Sequence, residues 1–180
     1  MVLGSGEDAS SVTERKWYAI HVMSRHERKV AEKLRSRGLE VFLPEYRSRS
    51  RRKDRVKMIL RPLFPGYLFV RTSLAPKQRL KIIQTPSVVR IVGINTKPHP
   101  IPDEQVESVR LLIGSTSDAK PEQNLRTGQK VMVTDGPLKG VVGVVEKTPR
   151  GEKIVVCVEL LNRAVSASLQ KASVSPFLDS

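Results

Sequence analysis

The sequence predicts an α+β domain followed by a small all-β barrel, and three observations carry that prediction. Residues 15–113 alternate strand-like runs with amphipathic helical ones. Residues 114–124 are small and polar, with Pro121 among them, as expected of a linker. Residues 125–178 hold short alternating apolar runs, separated by Asp135-Gly136-Pro137 and Pro149-Arg150-Gly151, which is the texture of a barrel. At 180 residues the chain is long enough for two such domains.

Taken in order, residues 1–14 are polar and slightly acidic, lack a signal-peptide core, and are expected to form a disordered leader. Trp17-Tyr18-Ala19-Ile20-His21-Val22 suits a strand. Ser24 stands three residues before Glu27, the spacing of a capping box. A helix is therefore expected over Arg25–Arg37, with Val30, Ala31 and Leu34 inward and Gly38 as its stop. Leu39–Leu43 returns as a short strand closed by Pro44. Arg47–Lys57 holds seven Lys/Arg in eleven residues, so it cannot bury itself and reads as a solvated loop or hairpin tip.

The segment Pro62-Leu63-Phe64-Pro65-Gly66-Tyr67-Leu68-Phe69-Val70 is the most informative in the chain. After the Pro-Gly break, alternation along a strand puts Tyr67 and Phe69 on one face and Leu68 and Val70 on the other. Both faces are apolar and both need a cover. Either both are internal core, or the Tyr67/Phe69 face is a docking surface for another protein. A second helix is expected over Pro76–Gln84 with Leu80 and Ile83 inward. Ser87–Val92 reads as a strand, and Asp103 is expected to cap a helix from Glu104 to about Ile113. The barrel strands are expected at 129–134, 141–147, 153–160 and 164–170. Their β-branched residues, among them Val131, Val133, Val142, Val144, Val155 and Val158, are poor helix formers, so these segments are expected to remain strands.

Charge narrows the function. With 32 Lys+Arg against 18 Asp+Glu the net charge is +14, which favours a polyanionic partner. Residues 15–62 carry 16 Lys/Arg and 5 Asp/Glu, whereas residues 125–178 carry 8 and 4, so the basic field lies mainly in the first domain. Arg47, Arg49, Arg51, Arg52, Lys53, Arg55 and Lys57 are the candidate nucleic-acid contacts, because cations set on phosphates release counterions. The alternative is a solvated run without defined contacts. Arg25, Arg28, Lys29, Lys33, Arg35 and Arg37 read as the outer face of a helix.

Nothing in the chain reads as an enzyme. His21, His26 and His99 fall in three unrelated segments, and Cys157 sits in an apolar alternation as a small buried hydrophobe, which leaves no internal disulfide and no cysteine-based zinc site. Asp103 and Glu104 suit a helix start better than a catalytic pair. No catalytic residue, metal or cofactor is assigned. No run of 18 or more apolar residues exists to span a membrane, and a soluble, cytoplasmic monomer is expected.

Two sets of residues resemble known families. Val131-x-Val133-x-Asp135-Gly136-Pro137-Leu138-x-Gly140-x-x-Gly143-x-Val145 resembles the KOW motif of small SH3-like barrels. Trp17-Tyr18, Phe64-Pro65-Gly66-Tyr67 and Pro102-Asp103-Glu104 resemble the amino-terminal domain of the NusG superfamily, an antiparallel sheet flanked by helices. Pro62-Leu63-Phe64-Pro65-x-Tyr67-Leu68-Phe69-Val70, with Val158-Glu159-Leu160-Leu161-x-Arg163, looks more like the specialised RfaH- and UpxY-type paralogues.

That resemblance implies a bacterial transcription elongation factor that docks on the clamp helices of RNA polymerase and promotes processive, antiterminated transcription of particular operons. Tyr67 and Phe69, with Phe64 and Tyr18 beside them, would line the docking pocket. The basic run would lie near DNA at the transcription bubble, and Lys77, Gln78 and Arg79 would face the opposite jaw of the polymerase cleft. The family's barrel recruits Rho or the ribosomal protein NusE; here that contact would fall at Val141 and Val142, where the family often has an aromatic residue. Two alternatives stand beside this reading: a housekeeping NusG that couples polymerase to Rho or the ribosome, and a ribosome-associated KOW protein that binds RNA.

Overall fold

The computed structural model describes residues 14–49, 57–122, 128–169 and 172–177. Its first domain contains β1 (Lys16–Val22), α1 (Glu27–Ser36), β2 (Glu40–Phe42), β3 (Glu45–Arg49), β4 (Met58–Pro62), β5 (Tyr67–Thr72), α2 (Pro76–Ile83), β6 (Val88–Ile91), the short pair β7 (Gly93–Ile94) and β8 (Lys97–Pro98), and α3 (Asp103–Ser115). Four strands form an antiparallel sheet in the order β2-β5-β1-β6. One face, with Ile20, Val22, Leu68 and Val70, packs on Val30, Ala31 and Leu34 of α1 and on Ile82 of α2. The other face, with Trp17, Ala19 and Phe69, joins Leu63 and Phe64 and the α3 residues Val106, Val109 and Leu112. Both faces are covered, as the apolar alternation of β5 demands.

The second domain holds β9 (Lys120–Glu122), β10 (Val131–Val133), β11 (Val142–Thr148), β12 (Gly151–Val158), a 3-10 turn at Glu159–Leu161, β13 (Arg163–Leu169) and β14 (Val174–Pro176). The described strands run in the order β14-β10-β11-β12-β13-β9, all antiparallel. The four expected strands are present, each within a few residues of its expected place, and the fold is α+β with a small β domain to follow. Gly143 is required by close approach: a Cβ there would lie 2.5 Å from the Val155 carbonyl oxygen of the neighbouring strand.

Several local expectations are corrected. Ser24 does not cap α1; His26 occupies the cap position without a side-chain bond. Glu27, which should have reached back toward Ser24, instead accepts the Gly66 N–H at 2.8 Å. Leu80 and Ile83 of α2 do not point inward and are each 47% exposed; the inward residue is Ile82. Gln78 shares the face of Ile82, one turn earlier, and its Oε1 accepts hydrogen bonds from Thr72 and Ser73, which turns the Leu80/Ile83 stripe to solvent. Asp103 is the first helical residue of α3 rather than its cap, and faces Arg71 at 3.4 Å. The expected linker is largely ordered: α3 continues to Ser115, and Lys120–Glu122 add a strand to the edge of β13. Residues 123–127 lie outside the described ones. No helix among the described residues is long and apolar enough to cross a membrane.

Candidate binding surfaces

The residues expected to form an apolar pocket are brought partly together. β1 and β5 pair so that Ala19 stands opposite Phe69 and His21 opposite Tyr67, on one face of the sheet. His21 and Tyr67 stack, with ring centroids 5.1 Å apart. Phe69 stacks on Phe42 at 6.0 Å and meets Phe64 edge-on at 5.6 Å, and Phe42 in turn meets Trp17 at 6.4 Å. The Arg110 guanidinium of α3 lies over both Trp17 and Phe42, at 5.4 and 5.0 Å. Phe64 and Phe69 are each only 1% exposed, so they are core in this arrangement, while Tyr67 and His21 remain at the half-buried margin.

Tyr18 does not belong to this face. It stands opposite Val70, so its side chain lies on the α1 side of the sheet. The neighbour of Tyr67 is instead His21, which sequence reasoning considered only as a metal ligand. The signal was available in the period of β1, since His21 follows Trp17 and Ala19 on alternate positions. Its Nδ1 is buried without a hydrogen-bond partner. Among the described residues no group of His, Cys, Asp or Glu converges as a metal site.

The basic run is carried by a hairpin. β3 and β4 pair in register from Glu45 opposite Pro62 to Arg49 opposite Met58. Arg47, Arg49 and Lys57 are exposed on it; Arg51, Arg52, Lys53 and Arg55 lie outside the described residues. Arg28 of α1 fastens this hairpin, with its Nε 2.6 Å from the Glu45 carboxylate and its Nη2 donating to the Leu60 carbonyl at 3.0 Å. Arg37 likewise ties α1 to the end of α2 through the Lys81 carbonyl and the Thr85 hydroxyl, at 2.6 and 2.9 Å. With Arg35 donating to the Val41 carbonyl at 3.3 Å, three of the helix cations hold the domain together rather than standing free. Lys77 and Arg79 are exposed at the start of α2, but Gln78 is taken up by the β5–α2 turn.

Val141 and Val142 are both buried, Val141 in the core cluster that also holds Val133 and Leu138, and Val142 against α3. The Val142 N–H donates to Ser108 Oγ at 2.9 Å, the Glu159 N–H donates to Gln105 Oε1 at 3.3 Å, and Leu111 Cδ1 would meet a Cβ at Gly140 at 3.3 Å. α3 is thus shared, with β1 against it from one domain and β11 and β12 from the other. A cavity of about 470 Å³ marks a second meeting of the domains, between Phe64, Pro65 and Arg61 of the first and Pro121, Arg163 and Ala164 of the second. The chain before β9 is clasped as well: the Asp118 carboxylate accepts the Ser168 N–H at 3.0 Å.

Comparison with known proteins matches this architecture. A model of the family described as transcription termination factor nusG matches residues 15–110. A protein named transcription termination/antitermination protein NusG from Halalkalibacterium halodurans is 25% identical over 170 residues, covering 87% of this chain and 96% of the relative. The protein of the same name from Staphylococcus aureus is 25% identical over 175 residues, covering 90% of this chain and 96% of its own length. Among solved structures, one described as domain interaction in Thermotoga maritima NusG aligns with a TM-score of 0.53 at 23% identity, over 92% of this chain and 98% of that one; it supports the fold.

Proposed function

The chain belongs to the NusG family, and we propose that it is a transcription elongation factor of the specialised, antiterminating kind, acting on RNA polymerase without chemistry of its own. At the coarser level it is a NusG-like termination/antitermination factor. The observation that supports docking on polymerase is the aromatic face, in which a stacked His21/Tyr67 pair forms the open margin of a surface backed by Phe64 and Phe69. The specialised role rests on the likeness of the segment from Pro62 to Val70 to the RfaH- and UpxY-type paralogues. Aromatic side chains that go from half-buried to fully buried on binding commonly dominate an interface. The clamp helices of the polymerase would seat on Tyr67, and the exposed Arg47, Arg49 and Lys57 would lie toward DNA at the bubble. Lys77 and Arg79, but not the engaged Gln78, would face the opposite jaw of the cleft.

The relatives' name, transcription termination/antitermination protein NusG, favours a second reading, the general factor, which the family resemblance would have couple polymerase to Rho or to the ribosome through NusE. That reading needs the barrel surface around Val142, which α3 occupies here. Binding to purified core polymerase, wild type beside Tyr67→Ala and at two salt concentrations, tests the proposal. Loss of binding in Tyr67→Ala, with little salt dependence in the wild type, is expected. Salt-sensitive binding that ignores Tyr67 would place the affinity in the basic surface and favour an RNA-binding role at the ribosome. Capture of Rho or NusE by the full-length wild type would favour the general factor.

A further inference from the structure

The outward face of the second domain is apolar where a small barrel should be polar. Val144 stands opposite Val155, and alternation places Val142 and Cys157 on the same side of β11 and β12. The opposite side, with Ile154, Val156 and Val158, belongs to the core. Val142 and Val155 are buried although they lie outside that core cluster, and α3 covers one end of the row through Ser108 and Gln105. Val144 and Cys157 stay half-buried. Between them and the start of α3 lies a cavity of about 460 Å³, within the size range that small organic ligands occupy.

Charge at the rim selects the ligand. Glu104, Glu159 and Lys130 line the cavity together with Gln105. The Lys130 ammonium lies 3.4 Å from the Glu159 carboxylate, and Glu104 has no ion-pair partner among the described residues. The first turn of α3 accounts for an acid at position 104, but not for the apolar space beneath it. In a chain of net charge +14 this rim is locally negative, with two carboxylates to one ammonium. An anion would be drawn to the molecule at large; a cation has to be selected locally. The lining suits an apolar body over Val144, Val155 and Cys157 that carries one cationic group toward Glu104.

We infer that the cavity between α3 and the β11–β12 face binds a small organic cation, an amine with an aromatic or aliphatic body, whose ammonium pairs with Glu104. The cavity exists only while α3 lies on β11 and β12, so the ligand also favours that closed arrangement.

Titration of the full-length protein with tryptamine, indole and indole-3-acetate, followed by backbone amide shifts, tests this without polymerase. The three probes share one apolar body and differ in charge. Tryptamine should shift Gly143, Val144 and Cys157 saturably and bind about threefold more tightly than indole, with indole-3-acetate weakest. Glu104→Gln should bring tryptamine to the level of indole and leave indole unchanged. Cys157 is the single cysteine of the chain, so its labelling by a maleimide reads the cavity; tryptamine should slow it at the concentrations that shift Val144. Gln105→Ala/Ser108→Ala, which frees α3, should weaken all three probes. No saturable shift at these amides, or tryptamine binding that leaves Cys157 labelling unchanged, overturns the site. Equal binding of tryptamine and indole, or a preference that survives Glu104→Gln, overturns the choice of a cation. Undiminished binding in Gln105→Ala/Ser108→Ala overturns the dependence on the closed arrangement.

Discussion

At the scale of single residues, Glu27 departs furthest from what its sequence context suggests. Its spacing from Ser24 fits a reciprocal cap, yet the carboxylate is buried and holds the Gly66 N–H. Gly66 has a φ of +83°, a conformation that side chains disfavour, and the turn it makes launches β5 at Tyr67. A buried acid on one helix therefore aims Tyr67, the aromatic residue at the margin of the proposed docking face. Glu27→Ala should cost about 1–3 kcal/mol by leaving that donor unpaired, and Glu27→Gln, which retains an acceptor, should recover most of it. Urea midpoints of the three proteins decide the matter; glutamine as damaging as alanine would mean that the charge matters rather than the acceptor. Asp118 gives a pH-dependent counterpart. Partial burial pushes its carboxyl up, but hydrogen bonds with Ser168 and Thr116 outweigh burial and hold its pKa below the ordinary 3.8. A carboxyl lowered by folding stabilises the native state above its unfolded pKa and loses that contribution as pH falls through its folded value. The stability gap between wild type and Asp118→Asn should therefore be steady at neutral pH and close in acid, as chemical denaturation across pH will read; a gap unchanged in strong acid would remove the ionised clasp.

At the scale of elements, α2 shows how much a short helix can conceal. Eight residues contain two candidate inward stripes, Leu80 with Ile83 and Gln78 with Ile82. Apolar content favours the first, but the glutamine's bonds to Thr72 and Ser73 select the second. Ile82→Ala should consequently cost about 2–5 kcal/mol, whereas Leu80→Lys/Ile83→Lys should leave the thermal midpoint nearly unchanged; the reverse order would mean that α2 is rotated. The longer elements were legible because their pattern repeats. The alternation of β1, β5, β12 and β13 and the Val30/Ala31/Leu34 stripe of α1 each point one way. β9 was not legible, since Lys-Pro-Glu has no strand pattern of its own and becomes a strand only by pairing with Ala164, Val165 and Ser166. Tyr67, Phe69 and Phe64 of the proposed docking face lie together as their alternation suggests, and the register of β1 sets His21, not Tyr18, beside Tyr67.

At the scale of the whole molecule, the decisive feature is that α3 serves two domains at once. Its Val106 and Val109 belong to the core behind the aromatic sheet face, while Gln105 and Ser108 hold the backbone of Glu159 and Val142. Composition and periodicity could not reveal this, because a polar glutamine and serine on a helix look solvated until a second domain is placed against them. The consequence is a competition. The second domain meets the first at Phe64 and Pro65, next to the Tyr67 margin, and its own surface at Val142 is covered by α3. A polymerase seated on Tyr67 and a partner seated on Val142 would each favour separation of the domains, so either ligand should make the other bind more readily. Gln105→Ala/Ser108→Ala removes two acceptors that act only between domains, and the helix tolerates alanine well. This variant should exchange its Val142 amide faster and bind core polymerase about tenfold more tightly, the effect of some 1.4 kcal/mol taken from the closed arrangement. Faster exchange at Val142 with unchanged polymerase affinity would show that the domains part without exposing the docking face, and that Tyr67 and His21 alone are sufficient for the encounter.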